Sequence, residues 1–279
     1  MFEEGKNSDC LQRFYDGQSG RIQEVELKGI RLIAVTDAAS CPRSLVEQVE
    51  RITECAYKPQ QLLLRAKELT PQDYTKLARE VLPLCQKNDI ELIIHTHWQI
   101  ALELGIQRVH LPLPKLSQLP VAARRSLVIS SSVHSVAEAQ RALAEGAQAL
   151  VAGHIYTTSC KAGLPPRGLE FLKQIHEVAA KHVAPKIPTM AESYKPTQLQ
   201  DDADVREHQS STEPKSYKDC TSCTNIMSVN TNKNSKISNS CKSIPVYAIG
   251  GIGFDARQWQ ELVQSGAQGA CIMSAYMKI

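Results

Sequence analysis

The sequence predicts a parallel α/β chain closed into a single (β/α)8 TIM barrel, on three observations. Eight short apolar runs alternate with amphipathic stretches of helical period between Arg31 and Met273. Three of those helical stretches end in a glycine turn before the next run, at Leu104-Gly105-Ile106, Glu145-Gly146-Ala147 and Ser265-Gly266-Ala267. Glycine there supplies the left-handed cap. Repeated βα units of this length call for parallel strands, and eight of them close a barrel.

Taken in order, 1–28 shows no clean period. It is read as a lead outside the barrel domain 29–279, flexible or holding one short helix around Leu11–Tyr15. The first strand is Arg31–Thr36, closing on Asp37. A helix from about Ser44 to Cys55 carries Leu45, Val46, Val49 and Ile52 on one stripe. Strand Gln61–Arg65 leads to a helix announced by Thr70-Pro71, with Tyr74, Leu77, Val81 and Leu84 as its stripe. Strand Glu91–His95 precedes a short helix at Trp98–Leu104. Strand Arg108–Leu111 precedes a short helix near Leu119–Arg125. Strand Leu127–Ser132 and helix Val136–Glu145 follow, then strand Gln148–Gly153 and helix Leu169–His182. Strand Pro245–Ile249, helix Ala256–Ser265 and strand Gly269–Met273 complete the set.

Two features break the pattern. The stretch 184–243 is long, polar and nearly without apolar period, in a connection that usually takes roughly 2–6 residues; it is read as a disordered insertion. Ile279 follows the eighth strand closely, so the final helix is truncated. That leaves the outer face of the last strand needing a cover, from a second subunit or from the lead. A homo-oligomer, a dimer, is the expectation.

A net charge of +3 is too weak to argue for nucleic acid or an anionic membrane. No apolar run approaches a membrane span, and MFEEGKNSDC is not a secretory signal. Nine cysteines, Cys55, Cys85, Cys160 and Cys271 among them in helix, strand or site patterns, fit reduced thiols in a cytoplasmic chain.

Chemistry is expected where strands open into loops. The stretch 150–168, LVAGHIYTTSCKAGLPPRG, is such a place, with Thr158, Cys160 and Lys161 beyond Gly153. In the fifth strand, alternation puts Val128, Ser130, Ser132 and His134 on one face, the face toward the barrel axis. His134 at the rim is the residue suited to proton transfer near neutral pH. Gly250-Gly251 after the seventh strand and Met273-Ser274 at the end of the eighth are placed to cradle a phosphate with backbone N–H groups. Arg65 and Lys67 flank the end of the second strand, where they can hold an anion. His95 and His97 point the same way and, with His134 or His154, form a histidine set. No acid stands at the neighbouring strand ends, and neither a metal nor a cofactor is expected. Cys220-x-x-Cys223 with Cys241 and His208 has zinc-knuckle character, but scattered cysteines in a polar linker is the plainer reading.

The set Thr36-Asp37, Arg65-x-Lys67, Ser132-x-His134-Ser135, Gly153-His154-Ile155-Tyr156, Thr158-x-Cys160-Lys161, Ala248-Ile249-Gly250-Gly251 and Met273-Ser274-Ala275 resembles the thiamine phosphate synthase/TenI family. The resemblance covers 31–182 and 244–276. Its synthase branch joins a pyrimidine diphosphate to a thiazole phosphate with magnesium, on acids after the third and fourth strands. Here those places read His95-Thr96-His97 and Leu111-Pro112-Leu113-Pro114-Lys115. The TenI-like branch needs no metal, and its Gly-His-Val/Ile-aromatic, Thr-x-Cys-Lys-x-Gly-Leu and Arg-Gly pattern matches 153–168.

The resemblance therefore implies a thiazole tautomerase, an isomerase that aromatises a thiazole carboxylate phosphate by moving a proton. His134 would be its acid/base. Arg65, Lys67, His95, Ser132, Thr158, Cys160, Lys161, Gly250, Gly251, Met273 and Ser274 would hold the small-molecule substrate. The alternatives are a degenerate thiamine phosphate synthase and a non-catalytic, thiazole-phosphate-binding regulatory barrel.

Overall fold

The computed structural model describes residues 11–15, 22–26, 30–182 and 243–279. The lead holds an antiparallel pair, β1 (Leu11–Tyr15) and β2 (Ile22–Glu26), in register from Leu11 opposite Glu26 to Tyr15 opposite Ile22. This replaces the short helix considered for Leu11–Tyr15.

Eight parallel strands follow: β3 (Arg31–Val35), β4 (Gln61–Leu64), β5 (Glu91–His95), β6 (Arg108–Pro112), β7 (Val128–Val133), β8 (Ala149–Gly153), β9 (Val246–Ile249) and β10 (Gly269–Ile272). They pair in sequence order, and β10 closes the barrel on β3, Gly269 beside Arg31 through Ile272 beside Ala34. Alternation sorts their side chains into two cores. Ile33, Leu63, Ile93, Val151, Tyr247 and Cys271 fill the barrel axis. Leu32, Leu62, Ile94, Ile129, Val246 and Ile272 pack outward under the helices. Strands buried on both faces explain the nearly continuous apolar runs that the sequence shows.

The helices begin where local chemistry sets them. Ser44 and Glu47 form a capping box at α1 (Leu45–Glu54), and Thr70 caps α2 (Pro71–Lys87). After α3 (Trp98–Glu103), the connection beyond β6 holds two helices rather than one near Leu119–Arg125: α4 (Leu113–Ser117) and α5 (Val121–Ser126). Ser135 caps α6 (Val136–Ala144), α7 is Gly168–Ala180, and Asp255 caps α8 (Ala256–Gln264). The buried stripe of α2 is Tyr74, Ala78, Val81 and Cys85, with Leu77 and Leu84 at its margins. The three cap glycines, Gly105, Gly146 and Gly266, have φ of 68°, 91° and 88°.

After β10 the chain makes only a 3-10 turn, Tyr276–Lys278. The outer face of β10 is nevertheless covered within the chain. Ala270 and Ile272 are buried in one cluster with Tyr276, Met277 and Trp259. Phe254 lies between Tyr57 and Tyr276, stacked on the first at 4.4 Å and edge-on to the second at 4.9 Å. The Tyr276 hydroxyl donates to the Tyr57 carbonyl at 2.6 Å, and Arg43 Nη1 to the Ile279 carbonyl at 2.8 Å. Neither a partner subunit nor the lead is needed there, so the uncovered-face argument for a dimer falls away.

The insertion 184–243 lies outside the described residues except at Ser243, as do Cys220, Cys223, Cys241 and His208. Cys41, Cys55, Cys85, Cys160 and Cys271 are free thiols, and burial pushes those of Cys85 and Cys271 up to about 12. Among the described residues no helix is long and apolar enough to cross a membrane.

Candidate active site

The carboxyl ends of the strands bring most of the expected residues to one mouth. On β7 the alternation holds: Val128 and Ser130 line the barrel interior, whereas Ile129 and Val133 belong to the outer core. His134 follows on the inner side and is exposed. Its Nδ1 lies 2.8 Å from the Gly153 carbonyl, and its backbone N–H donates to Glu138 Oε2 at 2.6 Å. A carbonyl only accepts, so Nδ1 carries the proton of the neutral ring. Nε2 keeps its lone pair.

Gly153 and the glycines after β9 are locked together. Ile155 N–H donates to the Ile249 carbonyl at 2.9 Å, and Tyr156 N–H to the Gly250 carbonyl at 3.0 Å. Gly250 and Gly251 have φ of 98° and 71°. A Cβ on Gly250 would collide with His154, and one on Gly251 with Tyr156 and the Thr157 carbonyl. These glycines are therefore required first by the packing of two loops. The backbone N–H groups of Gly251 and Ser274 have no partner among the described residues and remain available to an anion. Met273 packs partly buried against the inner core, and its carbonyl accepts from Met277 N–H at 3.0 Å.

Across the mouth, Arg65 is held in place from two sides. Its backbone N–H donates to Thr36 Oγ1 at 2.7 Å, and its guanidinium pairs with Asp37. Burial opposes ionisation of Asp37, but hydrogen bonds from Ser40 and the Arg65 charge prevail and hold its carboxyl below the usual range. Lys67 is exposed. His95 is half-buried, its Nδ1 2.9 Å from Thr96 Oγ1, and it stacks on His110 at 5.8 Å between ring centroids. Burial, then the nearby His110, Arg65 and Lys67, push its imidazole down to about 3, so it acts as a neutral group. Burial and Lys115 lower His97, which packs on Tyr74 at 4.5 Å. The buried Tyr74 hydroxyl donates to the Leu64 carbonyl at 2.6 Å and accepts from His95 N–H at 3.2 Å, joining the ends of β4 and β5.

Thr158, Cys160 and Lys161 lie on the loop after β8. Cys160 and Lys161 are exposed on a 3-10 turn, Ser159–Lys161, that Thr158 caps through Cys160 N–H. The sequence reading missed three participants: His110, the Asp37–Arg65 pair and the Gly153 carbonyl. Only His110 was legible, since alternation from Val109 and Leu111 turns it inward.

Residues 32–192 match the family model described as thiamine monophosphate synthase. A putative thiamine-phosphate synthase 2 of Aquifex aeolicus is 33% identical over 150 residues, 53% of this chain and 78% of that protein. The thiamine-phosphate synthase of Gloeobacter violaceus is 33% identical over 119 residues, 41% of this chain and 34% of its own. That of Neisseria meningitidis is 32% identical over 130 residues, 45% and 62% respectively. A solved thiamine phosphate pyrophosphorylase from Pyrococcus furiosus superposes with a TM-score of 0.57 at 20% identity, over 90% of this chain and 88% of that one. At that identity the likeness concerns the fold.

Proposed function

This chain belongs to the thiamine monophosphate synthase family, and from that premise we propose that it is a TenI-like thiazole tautomerase. The observation that carries the reading is His134, with Nδ1–H committed to the Gly153 carbonyl and Nε2 without a partner among the described residues at an open mouth. Such an imidazole takes the proton from the ring carbon bearing the carboxylate and returns it to the exocyclic carbon. The backbone N–H groups around Gly250, Gly251 and Ser274 receive the phosphate. Arg65 and Lys67, with Lys161 on the loop, supply positive charge for the carboxylate and the electron-rich intermediate.

The magnesium of the synthases does not fit the donors at this mouth. A hard cation needs several oxygen ligands. The ends of β5 and β6 offer His95, His97 and Lys115, and Asp37 is taken by Arg65. Among the described residues no three His, Cys, Asp or Glu side chains gather as a metal site would require. The names of the relatives favour a second reading, a transferase that joins a pyrimidine diphosphate to a thiazole phosphate.

One pair of assays separates the two. The protein is incubated with the thiazole tautomer in EDTA while aromatic absorbance is followed. In parallel, the two synthase substrates are supplied with magnesium. Isomerisation in EDTA is the expected result. Coupling with no isomerisation would overturn the proposal in favour of the synthase. Saturable binding with neither reaction would leave a thiazole-phosphate-binding barrel.

A further inference from the structure

His110 has no part in that reading, yet it lies on the barrel axis only 4% exposed, directly beneath the mouth. Both ring nitrogens are engaged: Nδ1 with Ser130 Oγ at 3.0 Å and Nε2 with Ser132 Oγ at 2.7 Å. Ser130 Oγ also lies 3.2 Å from the Val109 carbonyl. That carbonyl can only accept, so the Ser130 proton points to it, and Ser130 accepts in turn from His110 Nδ1–H. Burial pushes the His110 ring down to about 4, which excludes a second ring proton at neutral pH. Nε2 is therefore an acceptor, and the proton between it and Ser132 belongs to the serine. The chain runs one way: Ser132 O–H to His110, His110 N–H to Ser130, Ser130 O–H to Val109.

We propose that His110 is a positioning residue that fixes the polarity of Ser132, drawing the hydroxyl proton into the barrel so that only oxygen lone pairs face the bound molecule. The inference rests on the tautomerase reading for the identity of that molecule, and on the hydrogen-bond chain alone for its geometry. A serine so polarised does not donate to a phosphate or carboxylate oxygen. It accepts, and Ser132 shares the inner face of β7 with His134, whose ring becomes a cation when it takes the substrate proton. Ser132 is thus an acceptor beside the path of a migrating proton, a more specific role than the substrate contact expected from sequence. No bond in the chain is made or broken at the carbon framework; its members only orient one another.

The test reads the tautomer directly. The full chain is labelled with 15N-histidine, and two-bond 1H–15N correlations are recorded from about pH 8 to about pH 5.5, the range in which ordinary imidazoles titrate. The spectrum of H110Q identifies the His110 signals among the eight histidines. The expected result is a proton on Nδ1 throughout. S130A removes the acceptor for that proton and is expected to move it toward Nε2. It should also lower kcat by about tenfold, the range one neutral hydrogen bond controls. KM should stay within about twofold, and S130T should restore both tautomer and rate. His110 protonated on Nε2 in the unmodified chain overturns the inference whatever the substrate is. So does an S130A protein whose tautomer is unmoved. The Nδ1–H tautomer in a protein that does not isomerise the thiazole supports the polarity of Ser132 and refutes the tautomerase instead.

Discussion

Replacing His134 by asparagine separates the base from the bond that orients it. The Asn Nδ2 sits close to where Nδ1 was and still donates to the Gly153 carbonyl, 2.8 Å away in the unmodified protein. Nothing remains at the position of Nε2. The expected cost is the whole general acid/base contribution, about 10²–10⁴ in kcat, or about 2.7–5.5 kcal/mol of barrier. Alanine at the same place also loses the hydrogen bond. The side chain is exposed, so little apolar burial goes with it, and one neutral bond contributes about 0.5–1.5 kcal/mol. At about 2–4 °C per kcal/mol for a domain of this size, H134A should melt about 1–6 °C lower, and H134N close to the unmodified protein. Absorbance of the aromatic product in EDTA gives kcat, and calorimetry gives Tm. An H134N protein that keeps kcat within about threefold would refute the assignment of His134 as the acid/base.

Three further outcomes follow from the geometry. Tyr74→Phe keeps the ring but strands the Leu64 carbonyl and the His95 N–H; a loss of about 2–6 kcal/mol is expected in urea unfolding, from about 1–3 kcal/mol for each group. Gly250→Ala combines left-handed strain with a collision at His154, so a loss of about 2–6 kcal/mol is expected, with a raised KM for the phosphate-bearing substrate. His95 and His110 stand at about 3 and about 4 in the fold against 6.5 in the unfolded chain, which therefore binds protons first as pH falls. Their stabilisation is complete above about pH 6.5 and declines toward about pH 4, by at most about 1.4 kcal/mol per pH unit for each ring. His95, with the lower value, goes on contributing toward about pH 3. Urea midpoints across that window should flatten in H95Q/H110Q; an equally steep fall there would show that other groups drive it.

The barrel was legible because each strand carries its own evidence of type. Glu91–His95 is an apolar triplet between polar ends, and the structure ends the strand at the same residues. The helix Leu113–Ser117 is five residues long, too short for an apolar period to announce it. Pro114 occupies the first turn, where its missing N–H costs nothing. The lead was misread because five-residue runs such as LQRFY are too short for periodicity to separate strand from helix. In the site, faces were legible and partners were not. Alternation turned Ser132 and His134 toward the axis, but the Gly153 carbonyl is 19 residues from His134, and Asp37 is 28 from Arg65. Those distances are closed by the barrel, which no local window contains.

The closure of β10 on β3 also dictates when the molecule can become itself. During synthesis β3 is made early and waits with one edge unpaired while six more strands are added. Each newest strand presents the other open edge, a template for unwanted pairing. The groups that tie down the segments on either side of α1, the Tyr276 hydroxyl on Tyr57, the Met277 sulfur facing Asp37 N–H and the Ile279 carbonyl on Arg43, all come from residues that follow β10. Contacts of such sequence separation form slowly. A nascent chain halted before Gly269 should be held by chaperones or lost to aggregation, and emergence of β10 with the turn that follows it should convert it in a single cooperative step.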